Sequence, residues 1–231
     1  MIDALHQRLL VIGFNAGDEL GLMLAGGYAM SAHELLDRPS QDIDFATATA
    51  LPLITVVDRL ARAYRDAGYE TKVVEVTPRM ARMVVSDTTA SCEVDLLKEG
   101  LGPPARLAIG PVVAFEDAVG LKMRALHDRA AHRDYIDIRA ANARLTWMEM
   151  EHLGARHTAG FSLEELADRL GGVVERDPRT FLSYGLNEAA IEVLCRWALA
   201  WESDIRSRLA NGETGPIGVA DDEWDAYLDP A

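Results

Sequence analysis

Leu24-Ala-Gly-Gly-Tyr-Ala-Met-Ser-Ala-His-Glu-Leu-Leu-Asp-Arg-Pro-Ser-Gln-Asp-Ile-Asp-Phe45 is the stretch whose reading decides the fold. It starts with the end of an apolar strand and turns at Gly26-Gly27. A helix to Leu36 follows, then a polar Asp-Arg-Pro loop at 37–39, and a strand from Gln41 to Thr47. Side chains alternate along a strand, so Asp42 and Asp44 share one face while Ile43 and Phe45 point into the core. Two neighbouring carboxylates repel unless a cation lies between them. An oxygen-only donor set favours Mg²⁺, which keeps several waters and binds substrate phosphates. Backbone N–H groups at a helix start, here Gly26 and Gly27, attract phosphate. Together these parts predict metal-assisted phosphoryl or nucleotidyl transfer. A solvated strand end is the rival reading of Asp-x-Asp.

Working outward, residues 3–14 predict a first helix, Gly21 to Ala25 a short strand, and Leu53 to Ala67 an amphipathic helix closed by Gly68. Three strands are expected at Tyr69–Val76, Arg79–Ser86 and Ser91–Leu97, then an extended segment from Leu107 to Val113. Asp95 lies in the third of these strands. An acid in an apolar strand is costly to bury unpaired, so Asp95 either meets the metal or pairs with a base. Strand signals stop at Phe115. Helices are expected at Glu116–Arg129, His132–Leu145, Phe161–Leu170 with Ser162 as N-cap, and Asn187–Ala210, before an acidic, loose tail. The expected architecture is α+β: a core with a mixed sheet in residues 1–111, followed by an all-helical C-terminal domain in residues 112–231.

Lys122, Leu126 and Arg129 recur at i, i+4 and i+7, placing two cations on one helix face. Such a pair suits a triphosphate, lysine as a point charge and arginine as a fork, or it is a solvated face. Asp134 and Asp137 share a side of the next helix, where Arg133 and Asp137 could be an i, i+4 pair. His127 and His132 read as helix-surface residues, and Trp197 and Trp201 as core aromatics. Walker and Gly-x-Ser-x-Gly motifs are missing.

The 231 residues carry a formal net charge of −14, and 49% are hydrophobic. Residues 1–144 hold 16 basic and 20 acidic side chains, net −4; residues 145–231 hold 7 and 17, net −10. The basic footprint usual in nucleic-acid binders is missing from this composition, and the acidic half better suits a cationic small substrate or a basic protein partner. No apolar run is long enough for a membrane span, the N-terminus lacks a secretory pattern, and Cys92 and Cys195 lack metal or redox spacing. A cytoplasmic protein with two buried thiols is expected.

Gly26-Gly27…Arg38-x-Ser40-x-Asp42-Ile43-Asp44-Phe45 resembles the first motif of the nucleotidyltransferase superfamily that includes DNA polymerase beta. Lys122-x-Arg124-Ala125-Leu126-x-x-Arg129…Arg133-Asp134-x-x-Asp137-Ile138 resembles the downstream motifs of its AbiEii/AbiGii branch, toxins of type IV toxin–antitoxin and abortive-infection systems. The likeness spans roughly residues 20–145. It implies a polymerase-beta-like core, Asp42 and Asp44 as Mg²⁺ ligands, Lys122 on the nucleotide phosphates, and Asp134 as a late essential acid, with Asp137 as the alternative. It also implies NTP as substrate, tRNA as acceptor and an antitoxin as partner. An aminoglycoside-type small acceptor and a catalytically silent nucleotide- or antitoxin-binding module are the alternatives. Gly26-Gly27 departs from the Gly-Ser common in the superfamily and lacks its hydroxyl. With the sequence reading of Asp95 added, the expected site is a two-metal centre on Asp42, Asp44 and Asp95. Gly26, Gly27, Arg38, Ser40, Lys122 and Arg129 are expected to line the nucleotide.

Overall fold

A computed structural model describes residues 3–36 and 40–218, so the loop containing Arg38 and the last thirteen residues lie outside the described part. The chain forms two compact units divided between Ala118 and Val119, inside a helix.

The first unit begins with α1 (Ala4–Phe14), capped by Asp3, whose carboxylate accepts from Leu5 N at 2.8 Å. β1 (Met23–Leu24), α2 (Gly26–Ala32) and β2 (Asp42–Thr47) follow. Next come α3 (Leu53–Asp66), β3 (Glu70–Val76), β4 (Met80–Ser86), β5 (Ser91–Lys98), β6 (Ala105–Leu107), β7 (Gly110–Val112) and the start of α4 (Phe115–Asp128). The strands make one mixed sheet in the order β3-β4-β5-β2-β1-β7-β6. β2 runs parallel to β5 and β1 parallel to β7, while the other pairs are antiparallel.

Alternation sorts the central strands. Ile43, Phe45, Ala81, Met83, Val85, Cys92, Val94 and Leu96 are buried on one face. α1 and α3 cover that face: Phe14 packs edge-on against Phe45, and Tyr64 Oη donates to Leu9 O at 3.2 Å. A Cβ on Gly13 would stand 2.6 Å from the Phe45 ring, so only glycine allows this close approach. Each fully buried Leu or Phe here contributes about 1.5–3 kcal/mol. The other face carries Asp42, Asp44, Arg82, Glu93 and Asp95, all half-buried or exposed.

Several elements differ from expectation. α2 ends at Ala32, four residues early, because Glu34 adopts a left-handed φ of 61°. The segment before α4 is a hairpin, β6–β7, turned by Gly110 at φ 129°. Helices at Trp147–Ala155 and Pro178–Ser183 lack a counterpart in the sequence reading, although each carries a cap. Thr146 with Glu149 forms a capping box, and Asp177 precedes Pro178.

The second unit holds the rest of α4, then α5 (His132–Ala141), α6 (Trp147–Ala155), α7 (Leu163–Gly171), α8 (Pro178–Ser183) and α9 (Glu188–Ala210). Gly120 and Gly154 let α4 and α6 cross closely; a Cβ would meet His157 at 2.3 Å and Met123 at 2.8 Å respectively. Trp201 is fully buried and stacks on Trp147, its Nε1 donating to Glu151 at 2.9 Å. Arg208 Nη1 donates to the same buried carboxylate at 3.0 Å. Trp197 and Trp201 are thus core aromatics. His127 is no surface residue: it is 4% exposed, stacks on Phe161, and its Nε2 accepts from Ser162 N at 3.2 Å. Cys195 is half-buried rather than buried. Among the described residues no helix is long and apolar enough to cross a membrane.

Candidate active site

β2 presents Asp42 and Asp44 because the opposite parity, Ile43 and Phe45, is claimed by the core. In the parallel pairing with β5, Asp42 stands beside Glu93 and Asp44 beside Asp95. Laterally paired residues on neighbouring strands share a face about 4.8 Å apart. Asp42, Asp44 and Asp95 therefore lie on one surface, with Glu93 a fourth acid.

Gly26 explains why the turn before α2 has no side chain. Its φ is +59°, and a Cβ there would lie 1.7 Å from Asp44 Oδ2. The Asp44 carboxylate thus packs directly against the turn, and Ala25 N donates to Asp44 O at 2.8 Å. The first helical bond of α2 is Ala29 N to Ala25 O, so the N–H groups of Gly26, Gly27 and Tyr28 precede it.

Ser40 Oγ donates to Asp42 Oδ1 at 2.9 Å. Behind it, the Tyr28 hydroxyl lies 3.4 Å from Ser40 O and 2.6 Å from His6 Nδ1. Burial raises the Tyr28 phenol to about 12 and lowers the His6 imidazole, which favours a neutral buried pair. Neither Tyr28 nor His6 carries a motif that sequence reasoning could have used.

Asp95 displays the second of its two alternatives. Arg82 of β4, its cross-strand partner, donates Nε to Oδ1 and Nη2 to Oδ2, both at 2.7 Å. Arg82 Nη1 also lies 3.4 Å from Glu93. Among the described residues no three His, Cys, Asp or Glu side chains are arranged to hold a metal ion together. The three acids share a face without forming a ready cage, because the third is turned toward arginine. Met80-x-Arg82-x-Val84 on the same parity was the available signal for Arg82.

Asp42 and Asp44 do suit a divalent cation. They are half-buried oxygen donors two residues apart on one face of β2.

In the second unit the predicted cations have acidic partners. Lys122 Nζ lies 2.7 Å from Asp137 Oδ2, with the two side chains 10% and 0% exposed. Asp137 therefore meets lysine from α4. Arg129 grips Asp134 through Nε and Nη2 at 3.1 and 3.2 Å, and Asp134 Oδ2 also accepts from Ala131 N at 2.9 Å. That bond closes the first turn of α5, so Asp134 has a capping task.

The family model for the nucleotidyl transferase AbiEii toxin of type IV toxin–antitoxin systems matches residues 8–229. The chain belongs to the AbiEii family. This AbiEii-family chain is accordingly a nucleotidyltransferase, and its sheet with appended helices recurs in solved structures. MenT4, a nucleotidyltransferase toxin from Mycobacterium tuberculosis, superposes with a TM-score of 0.53 at 19% identity, covering 90% of this chain and 79% of that one. JHP933 from Helicobacter pylori gives 0.52 at 16%, covering 92% and 96%. Another H. pylori protein gives 0.55 at 14%, covering 91% and 97%. At these identities the likeness is one of fold. No functionally curated protein matches the chain in sequence.

Proposed function

We propose that this AbiEii-family chain transfers a nucleoside monophosphate from an NTP to an acceptor hydroxyl, with Mg²⁺ as cofactor and a tRNA end as acceptor. The observation that carries the reading is Asp44, held against Gly26 on the same open face as Asp42. A divalent cation there would neutralise triphosphate charge and lower the pKa of the attacking hydroxyl. Asp42 and Asp44 would hold it, with Ser40 fixing the orientation of Asp42. The N–H groups opening α2 would face phosphate oxygens. Orientation and charge neutralisation supply most of the rate in such transfers.

Lys122 is assigned the phosphate contact. That assignment rests on the likeness of the Lys122-x-Arg124 motif, and a lysine supplies such a contact as a point charge. The short buried Lys122–Asp137 pair favours Asp137 over Asp134 as the late essential acid. An antitoxin partner accords with the family, and the net charge of −10 in residues 145–231 supports a basic one.

The test is transfer of label from α-labelled NTPs to total tRNA. Asp44→Asn, near-isosteric beside Gly26, should abolish labelling while leaving the circular dichroism spectrum unchanged; undiminished labelling refutes the assignment. The acidic second half favours a small cationic acceptor as the second reading. Label on an aminoglycoside, and never on RNA, would select it.

A further inference from the structure

We infer that Arg82 is a positioning residue that holds Asp95 through both carboxylate oxygens and competes with a divalent cation for it. This rests on the proposed role of Asp42 and Asp44.

The geometry begins with the register. Arg82, Asp95 and Asp44 are lateral neighbours across β4, β5 and β2. Glu93 and Asp42 form the adjacent row. Four carboxylates within two rows repel one another. The fork of Arg82 offsets two of them, binding Asp95 through both oxygens and approaching Glu93. The guanidinium thus supplies the positive charge that a cation would bring to the same acids.

Asp95 cannot serve both partners fully. A carboxylate gripped by two 2.7 Å bonds has spent its best-directed lone pairs on the fork. Coordination by Asp95 next to Asp44 competes with those bonds, because the lone pairs the fork leaves over are the less well directed ones. Arg82 is able to let go: its side chain is 39% exposed, against 13% for Asp95. A guanidinium leaving this pair regains water at little cost, whereas Arg129 on fully buried Asp134 holds a cap. The pair is therefore built for exchange, and Arg82 sets how much cation is needed to complete the site.

The readout is Mn²⁺ binding to the purified full-length protein, followed by calorimetry and by the loss of free-ion paramagnetic resonance signal. Arg82→Lys keeps the charge but cannot span both oxygens. An exposed bidentate pair is worth up to about 1 kcal/mol, so its loss should tighten Mn²⁺ binding by up to about fivefold. Asp95→Asn should weaken binding and cancel the gain when combined with Arg82→Lys. Arg82→Lys binding Mn²⁺ no better than wild type, while Asp44→Asn still removes binding, overturns the exchange and leaves the proposed cation site standing. Mn²⁺ binding absent from every form overturns both. Circular dichroism identifies any variant that fails to fold, and Arg82→Gln then replaces Arg82→Lys.

Discussion

Replacing Gly26 by alanine should remove activity at a modest cost in stability, and the structure separates the two effects. Gly26 has φ +59°, where an L-residue pays about 1–2 kcal/mol. An ideal Cβ would also lie 1.7 Å from Asp44 Oδ2, and real Cβ contacts are essentially never under 3.0 Å. The carboxylate oxygen must therefore retreat by more than 1 Å, and a misplacement of about 1 Å costs on the order of 100-fold in rate. Gly68 is the internal control: its φ is +91°, but a Cβ there would meet nothing within 4 Å. Gly68→Ala should show the backbone cost alone. Each kcal/mol lowers the melting temperature by about 2–4 °C for a chain of this size. The assay pairs calorimetric melting with label transfer. Both variants should melt a few degrees early, and only Gly26→Ala should lose about 100-fold in transfer. Full activity in Gly26→Ala would mean that the packing of Asp44 against the turn has no bearing on chemistry.

Lys122→Met should lower unfolding free energy by about 3 kcal/mol, because the fully buried Asp137 carboxylate loses its short ammonium contact. Lys122→Met with Asp137→Leu should recover most of that in urea denaturation; a double variant as unstable as the single one would contradict the pairing. Burial holds the His6 imidazole below its ordinary 6.5. The unfolded chain takes up that proton first, so the contribution is complete above 6.5 and is lost as pH falls below it. His6→Gln should flatten the dependence of stability on pH between about 7 and 5, and an unchanged slope would count against it.

The sequence by itself determined the order of most helices and strands, the parity of β2 and the family. Period-two burial in Asp42-Ile43-Asp44-Phe45 and the apolar stripe of α3 are local signals, and binding motifs are contiguous. The cap at Ser162 and the stop at Gly68 were equally local. Two helices, α6 and α8, escaped the sequence reading although Thr146–Glu149 and Asp177-Pro178 mark their starts, because they are short and weakly periodic. Only tertiary structure decided which partner each charge takes. Asp95 meets Arg82 through cross-strand register, and Lys122 meets Asp137 through the packing of two helices rather than by i, i+4 spacing. Gly26 reads as a flexible turn residue until Asp44 is seen against it. Partners distant in sequence are set by register and helix crossing, which depend on how the whole core closes and leave no periodic trace in the chain.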